Sequence, residues 1–117
     1  MKYFTHNQLS IDTNYTSFQG SLRAQYPELV YVFGKPLPDG EFDNYKSDAE
    51  WHVQFKDGQV ATIYNWKNGR NYCGPDAPAT EDITEWNIGG KTRDVVQRIH
   101  SLVRGDVTGT ATILPLP

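Results

Sequence analysis

Two stretches carry residue types suited to holding a small anion. The first is Trp86-Asn87-Ile88-Gly89-Gly90-Lys91-Thr92-Arg93-Asp94. Its pattern predicts a strand, a turn at Gly89-Gly90 and the first turn of a helix. A helix start leaves backbone N–H groups unpaired at the positive end of the dipole. Glycines let the backbone approach a ligand, and Lys91 and Arg93 add charge. A phosphate or carboxylate fits that expectation, with Thr92 as the helix N-cap. Gly90-Lys91-Thr92 also matches the end of a P-loop, but the full pattern needs glycine where Glu85 stands. What survives is an anion nest, set against a plain turn whose glycines only relieve steric strain.

The second stretch is Trp66-Lys67-Asn68-Gly69-Arg70. Tyr64 and Trp66 offer rings on which a base could stack, and Lys67 and Arg70 could meet phosphates. The competing reading puts Trp66 in the core and the charges in solvent. His52, near Glu50 and Asn65, has the type of a general base, though a histidine on a hairpin face is more often structural. Cys73 is the only cysteine, so no internal disulfide forms and no cysteine-based metal site is complete. His6 and His100 have no metal-ligand spacing. No complete catalytic constellation emerges; the expectation is a binder without catalytic residue, metal or cofactor.

The elements that must position these residues follow from periodicity. Glu50 to Lys67 is the clearest unit: Trp51, Val53 and Phe55 alternate with His52 and Gln54, and Asp57-Gly58 signals a type I′ hairpin. A two-residue turn pairs Phe55 with Val60, Val53 with Thr62 and Trp51 with Tyr64. That face is expected to meet the core. Glu50, His52, Gln54, Ala61, Ile63, Asn65 and Lys67 then lie on the other face. Tyr15 to Leu22 reads as a strand with a bulge near Gly20. Pro27 to Phe33 reads as a two-turn helix, punctuated by Pro27, Gly34 and Pro36 and burying Leu29, Val30 and Phe33. Leu37 to Asp48 is a loop pinned by Phe42 and Tyr45, and Asn68 to Asp82 is a long loop. Thr84 to Ile88 is a further strand. Arg93 to Arg104 is a helix with a stripe of Val95, Val96, Ile99, Leu102 and Val103. Val107 to Ile113 suggests an edge strand or an oligomer contact. The order β-α-β-β-β-α predicts an α+β fold, with an antiparallel sheet on a central hairpin and two helices.

Composition sets the outer bounds. The chain has 117 residues, enough for one domain over 1–117. A net charge of −3 lacks the basic excess that broad nucleic-acid binding needs. No run approaches a membrane span, and the N-terminal residues lack the apolar region of a secretory signal, so a cytosolic protein is expected. A homo-oligomer is compatible with the small core.

Taken together, Tyr15-Thr16-Ser17-Phe18-Gln19-Gly20, Leu29-Val30-Tyr31-Val32-Phe33-Gly34-Lys35-Pro36, the hairpin from Glu50 to Lys67 and Trp86-Asn87-Ile88-Gly89-Gly90 form an ordered set. In that set the chain resembles a family of small bacteriophage accessory proteins. The resemblance spans about Tyr15 to Val103 and leaves out Asn71 to Thr84 and the tail. It implies a viral protein acting in the host cytoplasm and supplies no active site. The expected function is counter-defence by sequestering a small nucleotide-like anion at Gly89, Gly90, Lys91, Thr92 and Arg93, with Tyr64, Trp66 and Lys67 holding its other half. The alternatives are a protein inhibitor of a host defence factor and a nucleotide-acting enzyme using His52 and Glu50.

Overall fold

The computed structural model describes residues 2–105. Elements run in the order β1 (Tyr3–Thr5), β2 (Ser17–Arg23), α1 (Tyr26–Phe33), β3 (Glu50–Phe55), β4 (Val60–Tyr64), α2 (Arg70–Cys73), a 3₁₀ turn (Thr80–Asp82), β5 (Glu85–Gly90) and α3 (Asp94–Arg104). The strands form one five-stranded antiparallel sheet, ordered β1-β3-β4-β5-β2. The α+β class is as expected. Strand β1, the single-turn α2 and the 3₁₀ turn are additions to the expected order. The expected edge strand at Val107 to Ile113 lies outside the described residues.

Helices α1 and α3 cover one face of the sheet. Trp51, Val53, Phe55, Ala61, Ile63, Trp86 and Ile88 are buried beneath them with Leu29, Phe33, Val95, Ile99 and Leu102. Trp51 and Trp86 meet edge to face with ring centroids 5.4 Å apart. Each indole N–H finds a carbonyl: Trp51 Nε1 donates to Gly34 O at 2.8 Å and Trp86 Nε1 to Ala24 O at 3.0 Å. These bonds tie both ends of α1 to the sheet. The Glu28 carboxylate accepts the Gln25 N–H at 2.7 Å to close the start of α1, and Gly34, at φ 82°, ends it. The buried residues of α1 are Leu29, Val32 and Phe33, with Val30 only partly covered, a shift from the expected set.

The hairpin register differs from expectation by one residue. Phe55 N–H donates to Gln59 O at 2.8 Å and Gly58 N–H to Phe55 O at 2.9 Å. The turn is therefore a three-residue loop, Lys56-Asp57-Gly58, with Gly58 in the left-handed region at φ 92°. Trp51 now pairs with Ile63 and Val53 with Ala61. Because side chains alternate with a period of two, the slip turns every β4 residue over. Ala61 and Ile63 enter the core. Thr62 and Tyr64 join Glu50 and His52 on the opposite face.

Strand β5 also runs further than expected. Gly89 and Gly90 are its last residues, not a turn, and they pair on both sides: Gly89 with Thr62 and Phe18, Gly90 with Ala61 and Ser17. Gln19 is the bulged residue of β2, and its Nε2 donates to Gly90 O at 2.9 Å. Tyr45 stays exposed, and the loop it was expected to pin is held by buried Leu37 and Ser47.

Candidate functional site

The face of the sheet away from the helices carries cross-strand rows set by the register. Glu50, Tyr64, Asn87 and Ser21 lie side by side across β3, β4, β5 and β2. The next row is His52, Thr62, Gly89 and Phe18. Gly89 leaves a dip in that row. A Cβ there would stand 2.5 Å from Thr62 Oγ1 and 3.5 Å from Tyr64 Cε1, so the absent side chain is what lets its neighbours lean in.

Around this dip lies an open hollow. Phe18, Tyr64, Trp66 and Asn87 line a space of about 460 Å³. A smaller recess of about 200 Å³ adjoins it, sharing Tyr64 and Trp66 and adding Asp43, Glu50, Thr62 and Gly89. Phe18 is 57% exposed and Trp66 43%. Two large rings kept in water beside a recess invite a planar ligand. Trp66 is thus not the core residue of the competing reading. Burial raises the Tyr64 phenol above its ordinary value, and the nearby Glu50 carboxylate adds to the effect.

The segment after β4 is built to present Trp66. Asn65 is fully buried; its Oδ1 accepts the N–H of Asp48 at 2.7 Å and of Ala49 at 3.2 Å, and its Nδ2 donates to Asp48 and Asn68. It does not sit on the polar face with His52. The chain then turns through Lys67, a non-glycine residue at φ 59°. That conformation is uncommon, and it is fixed by Lys67 N–H to Lys46 O at 2.7 Å and by the Cys73 thiol to Lys67 O at 3.1 Å. Lys46 and Lys67 place their ammonium groups 5.3 and 5.6 Å from the Trp66 ring centroid, and Lys67 lies 5.3 Å from that of Tyr72.

The expected constellation is therefore divided. Gly89, Tyr64, Trp66 and Lys67 fall around or beside the hollow. Gly90 points to the helix side, where a Cβ would stand 2.5 Å from Val95 Cγ2. Lys91, Thr92 and Arg93 are exposed at the far end of the β4–β5 ladder, beyond the Gly90–Ala61 pair, whereas Tyr64 pairs at the near end with Asn87. Thr92 does not cap α3; Arg93, in helical conformation, precedes it without a side-chain cap. Paired on both sides, Gly89 and Gly90 spend their backbone groups in the sheet, so no nest forms there. Phe18, Asn87, Asp43 and Lys46 were missed. The alternation of β5 beside a correctly registered β4 would have found Asn87, since it pairs with Tyr64.

A second hollow flanks β1 and β3. It measures about 580 Å³ and is lined by His6, Gln8, Leu9, Ile11, Leu37, Glu41 and His52, among others. His52 Nε2 lies 2.7 Å from Glu50 Oε2, with the side chains only 13% and 18% exposed. Among the described residues no group of three or more histidine, cysteine or acidic side chains could hold a metal. No described helix is long and apolar enough to cross a membrane. Compared with protein-family models, with curated proteins and with solved structures, the chain has no significant match.

Proposed function

We propose that the protein binds and sequesters a small nucleotide-like anion on the open face of its sheet and breaks no bond in it. The observation that carries this reading is the pairing of exposed Phe18 and Trp66 around the Tyr64–Asn87 floor. A base stacks on the rings, and Asn87 reads its edge. Hydroxyls of the attached sugar donate to Asp43 and Glu50 in the adjoining recess. A ring settling on Trp66 displaces a lysine from its face and frees that ammonium for the phosphate. Lys46 and Lys67 thus take the part first expected of Lys91 and Arg93. The resemblance to phage accessory proteins supports placing this activity in an infected host's cytoplasm, as counter-defence.

Tryptophan fluorescence tests the reading directly. Trp51 and Trp86 are buried, so Trp66 is the indole a ligand reaches. Titration with mononucleotides and cyclic dinucleotides, backed by calorimetry, is expected to change Trp66 emission saturably for at least one of them. Trp66→Ala should weaken binding about 5- to 150-fold, the equivalent of roughly 1–3 kcal/mol of stacking. Lys91→Ala with Arg93→Ala should leave it unchanged. Absence of binding across the panel overturns the proposal, as does binding that depends on Lys91 and Arg93 and not on Trp66.

A further inference from the structure

The hollow beside β1 and β3 has a chemistry of its own. A carboxylate only accepts, so the short contact to Glu50 requires a proton on His52 Nε2. That leaves Nδ1 as the free position of the ring, and among the described residues it makes no hydrogen bond. His6 is held differently. Its Nδ1 accepts the His52 backbone N–H at 3.2 Å, so its Nε2 carries the proton donated to Lys35 O at 2.8 Å. His6 is thereby a neutral wall, meeting the His52 ring edge to face at 6.2 Å between centroids. Its basicity is lowered, chiefly by burial.

The rest of the lining is part polar, with Asn7, Gln8 and Ser10 carrying donors as well as acceptors, and part apolar. Glu41 supplies a carboxylate at the rim, and Leu9, Ile11, Leu37 and Pro38 supply hydrocarbon. No lysine or arginine lines the hollow. The Gln8 carboxamide is pinned by its oxygen, which accepts Thr5 N–H at 2.7 Å and the Thr5 hydroxyl at 3.0 Å. An anion would meet Glu41 with no cation to balance it. A cation with a short apolar stem meets a carboxylate, an imidazole lone pair and a hydrocarbon wall.

We infer that this hollow is a second ligand site, which takes a small alkylammonium: the ammonium donates to His52 Nδ1 and pairs with Glu41, and its stem lies on Leu37 and Ile11. Glu50 acts through His52, fixing the tautomer that keeps the lone pair toward the ligand. The two hollows share no lining residue and meet only at the Glu50–His52 pair, Glu50 facing the aromatic side and His52 this one.

Amide NMR of the full chain titrated with butylammonium tests this. Saturable shifts are expected at Gln8 to Ile11, Leu37 and His52, with Trp66 unmoved. Butanol and butyrate at equal concentration should give at most a tenth of the occupancy. His52→Ala should weaken binding about tenfold, a charge-assisted hydrogen bond's worth. Glu41→Gln, on an exposed rim, keeps the fold and should weaken it several-fold. The inference is overturned if the shifts are absent or centre on Trp66, if butanol or butyrate binds equally well, or if Glu41→Gln binds butylammonium as the natural chain does. Failure of nucleotides to bind at Trp66 would leave these outcomes unchanged.

Discussion

The two faces of the sheet are made by alternate residues of the same strands, yet they are different materials. On the helix side Trp51, Ile63 and Ile88 form one cross-strand row, continued by Gly20, whose missing side chain admits Val96 of α3. On the other side Glu50, Tyr64 and Asn87 form the matching row, beside the two adjoining hollows. Burial of apolar area stabilises the first face at roughly 25 cal/mol per Å². The second carries charge, hydroxyls and unsheltered rings, which add little stability and are free to meet a ligand. One face holds the fold and the other presents the chemistry, and a pleat one residue deep separates them.

The sharpest way to break this division is to truncate near neighbours on opposite faces. Trp51→Ala removes the centre of the aromatic core and should cost about 3–5 kcal/mol in denaturant unfolding. Gln54→Ala, three residues on and facing outward, should change stability by less than about 0.5 kcal/mol. Comparable losses at both positions would mean that the open face is load-carrying after all.

Asn65 tests the junction between the faces. It directly follows β4 and gathers Asp48, Ala49 and Asn68 around one buried carboxamide. Asn65→Ala strands the Asp48 and Ala49 N–H groups and should cost about 2–3 kcal/mol. It should also release Trp66 and Lys67, so nucleotide binding is expected to fall even where the protein stays folded. A variant that binds normally would separate the loop from the site.

The glycines of β5 refine the comparison by one residue. Gly90→Ala drives a Cβ against Val95 Cγ2 and to 3.2 Å from Val60 O on the packed side, and should cost about 1–3 kcal/mol. Gly89→Ala meets the Thr62 hydroxyl and the Tyr64 ring on the open side, so a smaller loss of stability is expected, with a change in ligand binding. Paired melting curves and titrations read both.

These glycines also show how far the chain was legible. The hairpin, both principal helices and the α+β class followed from periodicity and punctuation, because apolar spacing and Pro and Gly positions are local signals. The register did not. Asp57-Gly58 fits a two-residue turn and a three-residue turn equally well by composition, and the choice decides which face Ile63 and Tyr64 occupy. Gly89-Gly90 reads as a turn because glycine is commoner there. Its use in a strand, to admit Tyr64 and Thr62 on one side and Val95 on the other, depends on elements distant in sequence. Tyr64, Trp66 and Lys67 stand out in the sequence because their ring and charge types are informative without a register. Phe18 and Asn87 needed the sheet order.

The mildest probe is acid, and it should separate the faces without any substitution. His6 clasps the β1–β3 edge through Nδ1, which accepts the His52 N–H only while unprotonated. Burial lowers its basicity below the ordinary value of 6.5, so the folded state favours the neutral ring. The stability from this clasp is therefore complete above about 6.5 and is lost as pH falls through the lowered value. Glu50, Glu41 and the His52 ring are the other ionisable groups along that edge. Hydrogen exchange, corrected for its intrinsic pH dependence, is expected to speed up at the His52 amide over that range. The Ile63 and Ile88 amides beneath the helices should hold their protection. His6→Asn, which keeps an acceptor near Nδ1 but cannot be protonated, should flatten the His52 profile. If Ile63 loosens at the same pH as His52, the faces unfold as one unit, and the division between the holding face and the presenting face is one of composition and not of energy.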